Sequence, residues 1–214
     1  MRLLIKILLF TLFLLAGGCS SLYFSALDSI GIPKRDIMVH RVEAARDTQQ
    51  ETKAQFRSAL EKFTALSHYQ GGELESVYQQ LNDEYEASKE KAEEIRKRIA
   101  DIQEVSEALF AEWAEEITQY SSATLKHNSQ RQLSRTKSQY ALLIASMKRA
   151  EAKMDPVLVL FRDQVLYLKH NLNARAISAL KGELKSVESD VTVLIKAMEK
   201  SIDEANAFIR TIED

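Results

Sequence analysis

The chain has 214 residues, a formal charge of −2, one cysteine, six glycines and two prolines. A near-neutral, slightly acidic balance excludes the basic footprint of a nucleic-acid-binding domain, and a single cysteine excludes a disulfide framework. So few helix breakers, with no Val/Ile/Thr alternation, exclude a β-rich fold, and the class expected is all-α.

Arg2 and Lys6 give the N-terminus a short positive region, and residues 3–15 are almost unbroken apolar. That run falls short of the ~20 residues needed to span a bilayer. Ala16, Gly17 and Gly18 follow it, as small residues precede a signal-peptide cleavage site. The stretch Leu15-Ala16-Gly17-Gly18-Cys19 resembles the lipobox of bacterial lipoproteins, with Ala16 where that pattern more often carries Leu. The resemblance implies that residues 1–18 are a lipoprotein signal peptide and that Cys19 is lipidated by acyl chains such as palmitate. Acylation also gives the only thiol of an exported chain a task. The plainer readings are a cleaved signal beside a stray Cys, or an uncleaved anchor. Several acyl chains on one residue hold firmly, since each buried methylene contributes ~0.8 kcal/mol. By the same resemblance, and in a Gram-negative host, Ser20 directs the chain to the outer membrane facing the periplasm, where Asp would retain it at the inner membrane. Removal of Arg2 and Lys6 leaves 27 basic and 31 acidic residues, a charge of about −4. Residues 19–34 form a lipidated tether. Within it Leu22, Tyr23, Phe24 and Leu27 either lie in the membrane interface or dock on the domain that follows.

Residues 35–214 read as a helical coiled-coil domain. Helix one is expected over 35–69, with Met38, Val42, Ala45, Gln49, Thr52, Phe56, Ala59, Phe63 and Leu66 spaced alternately by four and three. Gln49 and Thr52 are polar on that seam and suit a wet position or a register device. Gly71-Gly72 breaks the helix. Helix two is expected over 73–120, its seam carrying Leu81, Tyr85, Ser88, Ala92, Ile95, Ile99, Ile102, Ser106, Leu109, Trp113 and Tyr120. Ser121-Ser122 is a weaker break, with Ser122 or Thr124 as N-cap. Helix three is expected over 125–170 through Thr136, Tyr140, Leu143, Met147, Ala150, Met154, Val157, Phe161 and Leu168. Pro156 lies inside it while the heptad phase runs on, so a kink is expected, with Asp155 capping the restart; a full break is the alternative. Asn171-Leu172-Asn173 is the last break and Asn173 caps helix four, whose seam is Ile177, Leu180, Leu184, Val187, Val191, Leu194, Met198, Ala205, Phe208 and Ile212. Three short breaks make successive helices antiparallel neighbours. The architecture expected is an elongated antiparallel bundle of four long heptad-patterned helices.

Two stretches stand out by composition. Residues 73–116 hold 14 acidic and five basic residues; residues 117–150 hold no acid and six cations, Lys126, Arg131, Arg135, Lys137, Lys148 and Arg149. An acidic helix folding against a basic one satisfies both. Residues 157–168 are apolar at nine of twelve positions, more than one seam requires, and are expected at the centre of the bundle, covered on several sides.

The stretches Lys34-Arg35-Asp36-Ile37, Arg41-Val42-Glu43-Ala44-Ala45-Arg46-Asp47, Leu81-Asn82-Asp83-Glu84-Tyr85-Glu86, Met154-Asp155-Pro156-Val157-Leu158 and Lys169-His170-Asn171-Leu172-Asn173-Ala174 resemble the bacterial "domain of unknown function 2959" family. The resemblance covers nearly all of the mature chain, and the last stretch is its most specific part. It implies a helical exported protein and brings no catalytic residues to carry over.

Chemistry-bearing residues are sparse. His40, His68, His127 and His170 are far apart and form no His-x-x-x-His or Glu-x-x-His pair, so no metal site is expected. Adjacent carboxylates at Glu93-Glu94 and Glu115-Glu116 diverge around a helix. No nucleophile is paired with a base, and no Gly-x-x-x-x-Gly-Lys-[Ser/Thr] phosphate loop is present. Trp113 reads as a core residue. The polar cluster His170, Asn171 and Asn173 reads first as a turn and second as a binding site. Up-down-up topology returns the turn near residues 120–124 to the anchor end, overshooting helix one by ~20 Å. There Lys126, Arg131 and Arg135 either pair with helix two, the preferred reading, or meet anionic headgroups at ~1 kcal/mol per cation.

The function expected is a membrane-anchored envelope lipoprotein with a non-enzymatic structural, scaffold or partner-interaction role. The alternative is a lipid- or amphiphile-binding module of the periplasm, using a groove near residues 157–168. No cofactor and no nucleic acid is expected. The partners are the membrane, through the N-terminal lipid, and another protein; self-association through the heptads is a further outcome.

Overall fold

A computed structural model describes Phe24, Leu27, residues 31–66, Tyr69 and residues 73–213. The signal segment, Cys19, His68 and the Gly71-Gly72 break lie outside the described residues. Among the described residues five long helices follow one another: α1 (Lys34–Ala65), α2 (Leu74–Gln119), α3 (Ala123–Glu151), α4 (Met154–His170) and α5 (Ala174–Glu213). No strand occurs among the described residues.

The helices pack as four rods, with α3 and α4 end to end in the place of one. α1 lies between α2 and α5, and the α3–α4 rod lies between the same two on the opposite side. Contacts fix the directions. Lys34 and Glu51 of α1 meet Glu112 and Lys91 of α2, while Arg35 and Gln49 of α1 meet Glu213 and Ser201 of α5. Neighbours are therefore antiparallel, as short connections require. At 1.5 Å per residue the 46 residues of α2 make it ~69 Å long. One end of the bundle carries the start of α1, the α2–α3 turn and the end of α5; we call it proximal, and the α4–α5 end distal.

The heptad seams form the core. All ten seam positions expected in the last helix, from Ile177 to Ile212, are buried. Thr52 stays within α1, its Oγ1 donating to the Thr48 carbonyl at 2.7 Å, while Thr48 Oγ1 donates across to Glu94 of α2 at 3.4 Å. Gln49 Nε2 donates to Ser201 Oγ at 2.9 Å, a buried hydrogen bond that holds the register of α1 against α5. On α2 the seam shifts near its end: Val105 and Ile117 are buried, while Trp113 is half-buried and Tyr120 is 43% exposed. Trp113 is thus no core residue. α1 and α5 have stopped at that level, so the last turns of α2 have only α3 to pack against.

The third rod is broken at 152–153, not kinked. Proline has no N–H to give and its ring clashes with the carbonyl four residues earlier, which for Pro156 is that of Ala152. Helix α3 therefore stops at Glu151; Ala152 N–H donates to the Lys148 carbonyl and Lys153 N–H to that of Ala150. Pro156 falls in the first turn of α4, where its missing donor costs nothing. Asp155 does not cap the restart, which begins after Lys153 with no side-chain cap; its carboxylate pairs with Arg96 of α2. The other ends follow their sequence signals. Ser122 Oγ accepts from Leu125 N–H at 3.4 Å to cap α3, and Asn173 Oδ1 accepts from the N–H groups of Arg175 and Ala176 to cap α5.

Helix α4 occupies the distal half of the bundle rather than its centre. Its inner face places Phe161 between Phe63 and Phe56 of α1, with ring centres 4.5 and 6.1 Å away. Its outer face is bare: Val159, Leu166 and Tyr167 are 42–49% exposed. The expectation of cover on several sides fails because α4 is an outer rod with α2 and α5 as its main neighbours.

The tether docks. Phe24 is 1% exposed and stands under the Arg41 guanidinium, 5.2 Å from ring centre to carbon. Leu27 packs beside it, and the Ile32 N–H donates to the Leu27 carbonyl. Gly31 turns the chain here at φ 82°, a backbone conformation that glycine adopts without steric cost.

Candidate functional site

Three places invite a functional reading: the proximal α2–α3 tip, a cleft beside it, and the outer face of α4. At the tip, Lys126 is half-buried and Arg131 and Arg135 are exposed. None of them forms an ion pair with α2 among the described residues, which overturns the preferred expectation. Three carboxylates of α2 are taken elsewhere. Glu112 holds Lys34 at 2.7 Å, Glu104 holds Arg41 at 3.0 Å, and Glu94 holds Lys91 and Arg98 on its own helix at 3.1 and 3.2 Å. The reason is the facing of α3. It turns Leu133, Thr136, Leu143 and Met147 inward, so its cations point away from the seam. Arg131 hydrogen-bonds only Asn128, at 2.7 Å, and Lys137 lies over the Phe110 ring at 5.6 Å. Leu125, at the first turn of α3, is 55% exposed.

The cleft lies between the start of α1 and the α2–α3 hairpin. Pro33, Lys34, Leu109, Trp113, Glu116 and Thr136 line it, and its volume is about 420 Å³. Trp113 Nε1 donates to Ser129 Oγ at 2.9 Å, which ties the two helices of the hairpin. Thr136 is fully buried and its hydroxyl has no partner. Deeper in, Tyr140 lies beside Ser106, and its ring meets those of Phe110 and Phe208 edge-on. Burial raises the Tyr140 phenol above its ordinary value, against the smaller lowering effect of Ser106.

The His170, Asn171 and Asn173 cluster is occupied by the turn itself. Asn171 Nδ2 donates to the Tyr167 carbonyl at 2.8 Å, and Asn173 caps α5. His170 is exposed. Among the described residues no three His, Cys, Asp or Glu side chains converge as a metal site, and no helix is long and apolar enough to cross a membrane.

A further electrostatic perturbation lies on the surface near the middle of α2. Lys91 bridges Glu51 at 2.6 Å and Glu94 at 3.1 Å. Its hydrogen bond is the main cause that holds the Glu94 carboxyl below the usual range, with Arg98 adding to it and partial burial opposing. Lys91→Ala is expected to move the Glu94 titration upward, which carboxyl NMR across a pH series would read. Because the folded value is depressed, any stability from this pair is present above the unfolded carboxylate value and lost as pH falls through the lowered one. An unmoved titration would show that the pair does not form in solution.

Sequence reasoning left the docking of Phe24 as one of two alternatives and missed the cleft. Phe24 lies outside the heptad pattern, and the cleft exists only because rods of unequal length end at different levels. A family model described as "Protein of unknown function (DUF2959)" matches residues 23–212. The chain therefore belongs to that family. No curated protein and no solved structure matches it.

Proposed function

We propose that this family member is a lipid-anchored envelope lipoprotein that works without catalysis, as a structural rod carrying a partner-binding surface at its distal end. The observation that supports this reading is the bare outer face of α4. Val159 and Leu166 lie seven residues apart and so share one helix face, at 42% and 49% exposure. Tyr167 and Leu172, each 42% exposed, extend the apolar area to the α4–α5 turn. Exposed apolar side chains set among polar ones suit a protein interface, and here Arg162 and Asp163 lie on the same face between Val159 and Leu166, with Lys169 toward the turn. Residues 157–168 offer an amphiphile carrier little room, because their inner side is filled by Phe161 stacked on Phe63.

The test is crosslinking from intact envelopes with the wild-type chain and with Val159→Asp combined with Leu166→Asp. The wild type is expected to give a discrete protein crosslink that the double variant loses, while membrane retention is unchanged. Identical crosslinks from both chains would sink the interface. Stoichiometric lipid in the purified protein, read by mass spectrometry, would instead favour the periplasmic amphiphile-binding reading.

A further inference from the structure

The docked tether and the overshooting hairpin together restrict how the bundle can sit on a membrane. Phe24 is held at the level where Arg41 of α1 grips the Asp101 carbonyl and Glu104 on α2. Tyr120 lies 16 residues beyond Glu104, so the α2–α3 turn projects ~24 Å past that level along the rod. Only five residue steps separate Cys19 from Phe24, a reach of at most ~18 Å even when fully extended. If the rod stood upright on its anchor, the turn would lie at least ~6 Å deeper than the Cys19 backbone. Tilt reduces the projection of the turn in proportion to the cosine of the tilt angle, so the turn is the lowest part of a rod that stands near upright.

We propose that the α2–α3 tip lies in the headgroup layer of the anchoring membrane, with Tyr120 and Leu125 entering the interface and Lys126, Arg131 and Arg135 meeting anionic lipid. This inference rests on the lipid-anchored reading of Cys19. The chemistry of the tip fits that occupant. Tyr120 and Leu125 flank the turn and are 43% and 55% exposed, and a tyrosine with its apolar ring and polar end suits the membrane–water boundary. The three cations have no carboxylate partner among the described residues, and residues 117–150 contain no acid, the nearest carboxylates being the exposed Glu115 and Glu116 one turn up α2 from Tyr120. Sequence alone favours pairing of these cations with α2; the facing of α3 leaves them free for an outside anion.

Cys19 is the only cysteine, so once it is acylated a new cysteine can be labelled alone. The full mature protein would be prepared as Leu125→Cys and as Leu172→Cys, the latter exposed at the distal end, each carrying an environment-sensitive fluorophore. It would be reconstituted in vesicles of zwitterionic lipid with and without anionic lipid. Mass spectrometry first establishes acylation of Cys19. The label at 125 is expected to shift to the blue and to be several-fold less quenched by aqueous iodide than the label at 172. The difference should grow with anionic lipid and shrink in high salt. Lys126→Glu, Arg131→Glu and Arg135→Glu together should remove the dependence on anionic lipid. Equal iodide access at 125 and 172 in the acylated protein overturns the tip contact and leaves the anchor intact. An unacylated Cys19 removes the anchor reading and the inference with it. A tip signal indifferent to lipid charge and to the three reversals overturns the assignment of the cations.

Discussion

Phe161→Ala is expected to lower the unfolding free energy by about 3–5 kcal/mol, the usual cost of removing a buried aromatic side chain from a packed core. Phe161 is fully buried and stands between Phe63 and Phe56, so its loss opens a gap between α4 and α1. The position is unusually exposed to such a change. α4 is only 17 residues long and is severed from α3 at 152–153, so it cannot borrow rigidity from a continuous helix. An isolated helix of that length is marginal in water. Tertiary contacts must therefore hold it, and the stacked phenylalanines are the largest of them on its inner face. Urea denaturation of the wild type and variant would measure the loss as a lower midpoint at unchanged slope. Phe161→Leu, which keeps most of the volume, should cost clearly less. A loss below ~1 kcal/mol for the alanine variant, within the range of surface substitutions, would show that α4 is not anchored through this stack.

The same helix marks the boundary of what the sequence reveals. Seam positions were legible because burial demands apolar side chains at alternating steps of three and four, and every expected position of α5 obeys that rule. The heptad phase also runs unbroken from Met154 to Val157, and that continuity hides the break. Side-chain periodicity reports which face is buried, whereas the rupture comes from a backbone clash at the Ala152 carbonyl. The relation of the charged helices was misread for a similar reason. Net charge of a segment does not say which way its residues point, and the cations of α3 turn outward while α1 supplies the partners of α2. Trp113 and Tyr120 fit the seam pattern but lie beyond the ends of α1 and α5, where two helices can bury only part of a large aromatic. Phe24 has no period to betray it at all. The clustering of cations in α3 was legible in the sequence; the cleft and the bare face of α4 depend on how long each rod is and where it stands.

Two buried glutamines should answer the same substitution with opposite signs. Gln164 is 4% exposed on α4, and neither atom of its amide has a partner. It shares the inner face with Phe161 and Leu168, three and four residues away. Gln164→Leu removes an unsatisfied buried amide at similar volume, and is expected to raise stability by about 1–3 kcal/mol. Gln49 is equally buried and its Oε1 also has no partner, but its Nε2 donates to Ser201 across α1 and α5. Gln49→Leu removes that bond and leaves the Ser201 hydroxyl unpaired, so it is expected to lower stability by about 1–3 kcal/mol. Urea midpoints of the two single variants and the wild type decide the matter. A loss on Gln164→Leu would mean that its amide has a partner, such as a buried water or a bound molecule, and would turn attention to the distal core as a ligand site. A gain at both positions would mean that the Gln49–Ser201 bond is dispensable to the register of α1 and α5. Only the opposite signs fit a bundle in which one buried amide holds two rods in register and the other is retained at a cost in stability, beside the bare face where a partner is proposed to bind.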